Sequence, residues 1–178
     1  MGKERRIEGI IHTRHLRLVP FDRDHMTETY LSWLNDPITM RYSRHRGRRH
    51  TIEDAQRFLQ DILKKGHLFW AIEYRGGGFH HIGNIIAYLE PQKRSADISI
   101  MIGDESARGK GLGKEAFHAV VNFIFEKLAY KKVTAGTMLE NKAMVRLMRS
   151  LGMKEAARDD QHVYMYKLNP ELGPFSVS

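Results

Sequence analysis

The sequence predicts a single α/β domain in which a mixed sheet carries helices on both faces. A chain of 178 residues favours one domain, because one hydrophobic core of that size is stable on its own. Apolar residues recur with the spacing of strands in some segments and of helices in others. The resulting order is strand, helices, three strands, helix, strand, helix and two strands, which is typical of such a layered fold.

The first third of the chain contains a predicted strand and two predicted helices. Polar and apolar side chains alternate over residues 15–21, as they do in a strand. We expect Asp22 and Asp24 to cap the helix that follows, because short acidic side chains accept hydrogen bonds from the free N–H groups of a first turn. Asp36 is expected to cap a short second helix that begins at Pro37.

A further helix and a hairpin are predicted in the middle of the chain. Residues 51–54 (Thr-Ile-Glu-Asp) resemble a capping box, with Asp where Glu or Gln is usual, and apolar residues recur at helical spacing up to Ile62. Strands are predicted over residues 68–74 and 81–89. The glycines at 76–78 favour a hairpin turn between these two strands.

Residues 95–102 form the most regular predicted strand. Its apolar face consists of Ala96, Ile98, Ile100 and Ile102, and its other face carries Asp97, Ser99 and Met101. A glycine-rich turn at residues 108–113 leads into a long predicted helix. The apolar residues at helical spacing along this helix are Phe117, Val120, Val121, Ile124 and Leu128.

The last predicted elements are a strand, a helix and two strands. The strand covers residues 132–138, and the helix begins at Asn141 and ends at Gly152. The final strands lie near residues 153–158 and 162–168. No repeat and no linker interrupts this order, so nothing in the sequence indicates a second domain.

Composition excludes several classes of protein. The chain has no cysteine, which excludes disulfides, cysteine-ligated zinc, iron–sulfur clusters and thiol nucleophiles. No run approaches the length of about 18 apolar residues that a spanning helix needs, and the first eight residues lack the apolar core of a secretory signal. We therefore expect a cytoplasmic enzyme or binding domain.

The net charge of +8 is concentrated in one segment. Residues 41–50 contain five arginines, two histidines and no acid, so they form either a solvated loop or an anion-binding surface. No zinc-finger spacing and no aromatic RNA-binding strand accompanies this segment. Nucleic acid is therefore not expected as the main ligand.

The glycine-rich turn carries the clearest chemical signal. Three glycines alternate with Arg108, Lys110 and Leu112 where a strand leads into a helix. Free backbone N–H groups and the helix dipole favour an anion there, and glycine lets those groups approach phosphate oxygens closely. The alternative is a tight turn without a ligand.

The turn matches neither common nucleotide motif. A P-loop needs Ser or Thr after its lysine, whereas Gly111 follows Lys110. A dinucleotide fingerprint needs a third glycine where Lys114 stands, and an acid near residues 131–134, which are Lys-Lys-Val-Thr. Phosphate binding therefore requires another ligand class.

Residues 108–113 resemble the acyl-CoA pyrophosphate motif of the GCN5-related N-acetyltransferase (GNAT) family, written Gln/Arg-x-x-Gly-x-Gly/Ala. Residues 141–144 and 151–153 are similar to the later motifs of that family. In the first part of the chain, residues 16–18 and 33–37 look like the corresponding segments of the branch that includes ribosomal-protein N-terminal and bacterial amino-sugar acetyltransferases.

The resemblance covers residues 14–168 and implies a division of the chain. It leaves an N-terminal extension at 1–13 and a tail at 169–178. It also implies a mostly antiparallel sheet of about seven strands, splayed between the strands at 95–102 and 132–138.

The resemblance implies that acetyl-CoA is the cosubstrate. Its pantetheine arm would lie in the splayed part of the sheet, and backbone amides of the glycine-rich turn would hold its diphosphate. The residues expected to contact it are Ile100, Met101, Ile102, Arg108, Gly109, Lys110, Gly111, Leu112, Gly113, Lys114 and Asn141. Lys114, Lys142 or Arg146 is expected to face the 3′-phosphate, and Asn141 is equally well explained as a helix cap.

The implied reaction is direct attack of an amine on the thioester. The enzyme then supplies proximity, an oxyanion donor and a route for the amine proton. A backbone N–H near Met101 is the expected donor, and Asp97 the expected base, acting directly or through water. The alternative for Asp97 is a surface carboxylate paired with an arginine.

The general acid is not assigned. Met148 occupies the position where many members of the family carry a tyrosine. Tyr164 and Tyr166 on the last strand are the available substitutes, and release of the thiolate to solvent needs neither.

The acceptor is expected beside residues 41–50, where Arg44 and Arg46 would grip phosphate. This favours a small-molecule amine, namely an amino sugar, for example one linked to a nucleotide. The alternatives are the N-terminus of a protein such as a ribosomal protein, and a CoA-binding module without catalysis. No membrane partner is expected, and the sequence allows a homodimer.

No metal site is expected. The histidine pairs (His12 with His15, His45 with His50, and His80-His81) lack a carboxylate at ligand spacing. They are therefore interpreted as hydrated surface side chains.

Overall fold

The computed structural model describes residues 9–172, which form one open sheet of eight strands and four α-helices. Residues 1–8 of the expected N-terminal extension and residues 173–178 of the expected tail lie outside the described residues.

The predicted mixed α/β fold is confirmed, and the elements have the following bounds. The strands are β1 (Ile11–His12), β2 (Leu16–Pro20), β3 (Leu68–Tyr74), β4 (His80–Glu90), β5 (Ser95–Ile102), β6 (Lys132–Met138), β7 (Lys154–Arg158) and β8 (His162–Leu168). The helices are α1 (Glu28–Asn35), α2 (Ile52–Lys64), α3 (Leu112–Glu126) and α4 (Lys142–Ser150).

The sheet has the strand order β1-β2-β3-β4-β5-β6-β8-β7. Neighbouring strands are antiparallel except β5 and β6, which are parallel and pair only over residues 95–97 and 132–134. Beyond these pairs the two strands separate, as the resemblance implied. We call the space between residues 98–102 and 135–138 the wedge.

Helices cover both faces of the sheet, and each face has its own apolar cluster. The larger cluster joins α3 and α4 to the sheet and includes Trp70, Phe117 and Met148, none of which is exposed to solvent. The smaller cluster packs α1 and α2 against the opposite face around Phe69 and Trp33. Alternation along β5 therefore places Ala96 and Ile98 on the α3/α4 face and Met101 on the α1/α2 face.

Two predicted helix starts are wrong. Asp22 caps only a single 3-10 turn (Arg23–His25), because the backbone at Met26 leaves the helical region, and Thr27 caps α1 by accepting a hydrogen bond from Tyr30 N–H at 3.1 Å. The helix predicted from Pro37 does not form. Residues 37–47 make successive turns instead, since their sequence has no apolar stripe that the sheet would bury.

Other predictions need smaller changes. The capping box is confirmed, because Thr51 and Asp54 exchange side-chain and backbone hydrogen bonds at the start of α2. Leu128 lies beyond the end of α3 at Glu126. The two-residue strand β1 was not predicted, and it adds an edge strand within the expected extension.

Glu115 joins the first turn of α3 to the segment before β2. Its Oε1 accepts hydrogen bonds from the Thr13 hydroxyl and from His15 N–H at 2.7 Å, and its Oε2 lies 2.8 Å from His15 Nδ1. Desolvation raises the pKa of Glu115, but these hydrogen bonds outweigh it, so the pKa lies below its ordinary value.

We expect Glu115→Gln to lower the free energy of unfolding at pH 7 by about 1 kcal/mol. A carboxyl whose pKa is lower in the folded state stabilises the protein above its unfolded pKa of about 4.3, and this contribution is lost as the pH falls through the folded value. In urea unfolding, the free energy of unfolding of Glu115→Gln should therefore differ less from that of the wild type at pH 4 than at pH 7. Glu126→Gln, at the exposed end of the same helix, is the control, and equal losses at both pH values would contradict the charge argument.

Candidate active site

The wedge exposes backbone groups of β5 that have no partner strand. Gly103 N–H donates to Ile82 O at 2.9 Å, which fixes the alternation of hydrogen bonds between β4 and β5. Met101 therefore directs its N–H and C=O at β4, and those of Ile100 and Ile102 face the wedge.

This register changes the expected oxyanion donor. The N–H of Met101 belongs to the ladder with Asn84, so Met101 itself is not available as the donor. Of the N–H groups near it, those of Ile100 and Ile102 point into the wedge. The side chain of Met101 packs against the smaller apolar cluster.

The opposite wall of the wedge comes from β6. Leu139 N–H donates to Gln161 O at 2.7 Å, and the same alternation directs the backbone groups of Gly136 and Met138 away from β8 and into the wedge. An extended ligand with amide groups can therefore form ladder hydrogen bonds with both walls.

The glycine-rich turn ends at the mouth of the wedge. Within residues 9–172, the six backbone N–H groups of residues 109–114 have no hydrogen-bond acceptor. Gly109 and Gly111 have φ angles of +73° and +78°, which L side chains rarely adopt, so the course of this turn depends on glycine. Gly111 also caps α3, so the helix dipole adds to the attraction for an anion.

Packing fixes the start of α3 against the end of β5. A Cβ atom added to Gly113 would lie 3.5 Å from Cγ1 of Ile102 and 3.8 Å from Cδ1 of Leu147. The side chains of Lys110 and Lys114 remain exposed and supply positive charge beside the free N–H groups.

The side chain of Arg108 is directed away from the predicted anion site. Its Nε donates to Ile102 O at 3.2 Å, and its Nη2 donates to Gly103 O at 3.0 Å and to the Thr39 hydroxyl at 2.8 Å. Its backbone N–H donates to Glu105 O at 3.1 Å. These four donors are thus engaged by the protein, and the predicted contact between Arg108 and diphosphate stays a prediction.

Asp97 lies on the α1/α2 face at the point where β5 and β6 separate. It accepts a hydrogen bond from the Thr134 hydroxyl at 2.6 Å, and Tyr88 stands opposite it on β4. Asp97 is exposed to solvent, yet the surrounding protein removes enough of its hydration to raise the pKa of the carboxyl. The Thr134 hydrogen bond and the charge of Arg44 partly offset this rise.

Tyr88 shares this environment with Asp97. Burial raises the pKa of the Tyr88 phenol, the negative charge of Asp97 raises it further, and the charge of Arg44 opposes both. Sequence reasoning missed Tyr88 and Thr134. No local signal marks either residue, because Tyr88 stands opposite Asp97 only in the particular register that β4 and β5 adopt.

The basic segment (residues 41–50) crosses the α1/α2 face and reaches the far wall of the wedge, which is formed by β6. The Tyr42 hydroxyl donates to Glu140 O at 3.3 Å, and Arg46 Nη1 lies 3.8 Å from Sδ of Met138. Arg48 and Arg49 line a separate depression beside the end of α1. The segment therefore presents Arg44 and Arg46 to the wedge and its last two arginines elsewhere.

The remaining expected residues have structural contacts. Asn141 caps α4 by accepting from Met144 N–H at 3.2 Å, and it donates to the Thr137 hydroxyl at 3.1 Å. Met148 is fully buried. The ring of Tyr164 lies over Gly136, because a Cβ added there would be 2.8 Å from Tyr164 Cδ1.

Residues 9–172 contain neither a candidate metal site nor a helix suited to span a membrane. Over this part of the chain, no group of three or more histidine, aspartate or glutamate side chains is arranged to hold a metal ion. None of the helices described there combines the length and the apolarity needed to cross a membrane.

Comparison with known proteins identifies relatives of this chain. The model of the acetyltransferase (GNAT) domain family matches residues 15–154. An N-acetyltransferase 9-like protein from Nematostella vectensis is 34% identical over 65 residues, which are 36% of this chain and 33% of that protein. The match thus spans about a third of the relative's length.

Solved structures share the fold. A spermidine N-acetyltransferase from Vibrio cholerae, in complex with CoA and spermine, superposes with a TM-score of 0.78 at 18% identity, covering 89% of this chain and 98% of that one. The RimL ribosomal L7/L12 alpha-N-protein acetyltransferase, in complex with coenzyme A, gives 0.73 at 14% identity, covering 90% and 98%. Both structures contain the same kind of open sheet.

Proposed function

Because the chain belongs to the GNAT family of N-acetyltransferases, we propose that it transfers an acetyl group from acetyl-CoA to the primary amine of an anionic acceptor. The acceptor class we favour is an amino sugar that carries phosphate or is linked to a nucleotide. The observation that carries this choice is that Arg46 reaches the far wall of the wedge, where its Nη1 lies 3.8 Å from Sδ of Met138, while the charge of Arg44 acts on Asp97.

The residues of the wedge and the glycine-rich turn fit acetyl-CoA. The diphosphate would accept hydrogen bonds from the free N–H groups of residues 109–114, with Lys110 and Lys114 adding charge. The pantetheine amides would pair with the backbone of Ile100 and Ile102 on one side and of Gly136 on the other. Bound in this way, acetyl-CoA supplies an activated thioester carbonyl.

Asp97 is proposed to accept the proton of the amine. Its raised pKa brings the carboxylate closer in basicity to an amine than an exposed aspartate would be, and general base catalysis is most effective when the two are matched. Whichever N–H of Ile100 or Ile102 the pantetheine leaves unpaired would stabilise negative charge on the carbonyl oxygen. Holding the amine beside the thioester supplies proximity.

Arg44 and Arg46 are proposed to bind the anionic part of the acceptor. Both are exposed on the α1/α2 face, and Arg46 reaches the far wall of the wedge at Met138. Guanidinium groups bind phosphate bidentately. The positive charge here supports an anionic acceptor over a polyamine.

Calorimetry and an acceptor panel test the proposal. We expect acetyl-CoA to bind with micromolar Kd, and glucosamine 6-phosphate or a uridine diphosphate-linked amino sugar to be acetylated faster than spermidine or an N-terminal ribosomal peptide. Faster acetylation of the peptide would support the protein-terminus alternative. Binding without transfer to any amine would indicate a non-catalytic module, and absence of binding would overturn the proposal.

Replacing Arg44 or Arg46 with alanine should raise the KM for the phosphorylated acceptor about tenfold or more, because each loses a charge-assisted hydrogen bond worth roughly 1.5–3 kcal/mol. The Kd for acetyl-CoA should stay unchanged. Arg49→Ala is the matched control, since it removes the same charge from the separate depression. An equal rise in KM for all three variants would point to net charge alone.

A further inference from the structure

We propose that Arg108 is a positioning residue. Its hydrogen bonds fasten residues 37–50 (the acceptor loop) to the end of β5. Through these hydrogen bonds, the effect of acetyl-CoA binding reaches the loop on the acceptor side of the wedge. The inference rests on the proposed function, because it takes acetyl-CoA as the ligand of the glycine-rich turn and residues 37–50 as the acceptor side. The fastening itself rests on contacts within the chain and does not depend on the proposed function. It gives Arg108 a task other than binding phosphate.

A chain of three side chains forms the fastening. Arg108 Nη2 donates to the hydroxyl of Thr39 at 2.8 Å, and that hydroxyl donates in turn to the carboxylate of Asp36. Asp36 also accepts from Thr39 N–H at 2.8 Å. These hydrogen bonds from Thr39, and beyond them the charge of Arg108, hold the pKa of Asp36 below its ordinary value, so the carboxylate remains charged.

The other end of the fastening is the carboxyl end of β5. The same guanidinium donates to the carbonyls of Ile102 and Gly103, which close the strand beside the glycine-rich turn. One planar fork thus joins two backbone carbonyls to a hydroxyl 69 residues away in the chain. A lysine cannot reproduce this geometry, since its ammonium is a point charge on a flexible stem.

A second contact holds the same two segments together. The indole of Trp33 lies on Gly103 so closely that a Cβ added there would be 2.0 Å from Cδ2 of Trp33. Trp33 lies near the end of α1, just before the acceptor loop begins. The loop is therefore fastened to β5 by an apolar contact at its root and by Arg108 at Thr39.

The position of Arg108 explains how acetyl-CoA binding would reach the loop. It directly precedes the six free N–H groups of residues 109–114, so a diphosphate bound there restrains the backbone from which its side chain extends. Restraining that backbone strengthens the fork and hence the hold on Thr39. By linkage, an ordered acceptor loop favours acetyl-CoA binding to the same extent.

Amide hydrogen exchange of residues 37–50 tests the proposal on the full chain. In the free protein, Thr39→Val and Arg108→Lys should each speed exchange of this segment several-fold, whereas Thr39→Ser, which keeps the hydroxyl, should match the wild type. Saturating acetyl-CoA should slow exchange there in the wild type and in Thr39→Ser only. By calorimetry, Thr39→Val should weaken acetyl-CoA binding by no more than the factor by which acetyl-CoA slows exchange in the wild type, because linkage makes the two effects equal.

Each other outcome has a defined meaning. Unchanged exchange in free Thr39→Val and Arg108→Lys would overturn the fastening. A loop that does not respond to bound acetyl-CoA in the wild type would overturn the transmission. A tenfold weaker Kd in Arg108→Gln, with normal exchange in Thr39→Val, would return Arg108 to phosphate binding. If the wild type does not bind acetyl-CoA, the proposed function fails, and the exchange of the free variants still decides the fastening.

Discussion

Asp97→Asn is expected to lower kcat by roughly 10²- to 10⁴-fold, the usual contribution of a positioned general base. The amide keeps the size of the side chain and a hydrogen-bond acceptor for the Thr134 hydroxyl, but it cannot take the amine proton. The Kd for acetyl-CoA should stay unchanged. Steady-state kinetics with a saturating acceptor measure the effect, and Asp160→Asn, at an exposed position, is the control.

The pH profile should identify the group. Activity requires the deprotonated carboxyl, so kcat should rise with pH through the pKa of Asp97. Because desolvation raises that pKa, the rising limb should lie above the value of about 3.9 for an exposed aspartate. Thr134→Val and Arg44→Ala each remove an interaction that lowers the pKa, so both should move the limb to higher pH.

Two results would contradict this role. An unchanged kcat in Asp97→Asn would leave Asp97 as a partner of Arg44 on the surface. A rising limb that stays in place when Thr134 or Arg44 is replaced would assign the titration to another group.

Gly111→Val is expected to raise the Kd for acetyl-CoA about 10²-fold. At φ +78° a β-branched residue is strained, so the turn shifts and its N–H groups no longer converge on one anion. Losing two charge-assisted hydrogen bonds at roughly 1.5 kcal/mol each accounts for a change of that size. Calorimetry with acetyl-CoA measures it directly.

Gly77→Val is the matched control for this variant. Gly77 has nearly the same φ angle of +76°, and no atom lies within 4 Å of a Cβ added at either glycine. Gly77 lies in the turn between β3 and β4 and belongs to neither wall of the wedge. Both variants should lose similar stability, and only Gly111→Val should lose affinity. Equal affinity in the two variants would remove the glycine-rich turn from the binding site.

Features that depend on near neighbours in the chain could be predicted from the sequence. The capping box at Thr51 and the alternation around Asp97 are local patterns, and both are confirmed. The glycine-rich turn was recognisable because positive φ angles at Gly109 and Gly111 require glycine itself. Thr27 is as good a local cap as Asp22, so the start of α1 was decided by the packing of Phe21 and Trp33 against the sheet.

Features that depend on distant segments could not be predicted. Thr134 meets Asp97 only because β5 and β6 pair in one particular parallel register. A cation in a glycine-rich turn is the ordinary signal for phosphate binding, and nothing local indicates that Arg108 turns back to Thr39. For the oxyanion donor predicted near Met101, we propose the N–H of Ile100 or Ile102, because the register with β4 decides which N–H groups are free.

The short pairing between β5 and β6 also affects how the protein tolerates heat and storage. Past the last of three residue pairs, both strands present edges of the kind that recruit other chains into aggregates. A ligand that fills the wedge covers these edges and stabilises only the folded state, by about 2.7 kcal/mol at a concentration 100-fold above its Kd. Preparations stripped of acetyl-CoA should therefore melt earlier and precipitate sooner than preparations that retain it.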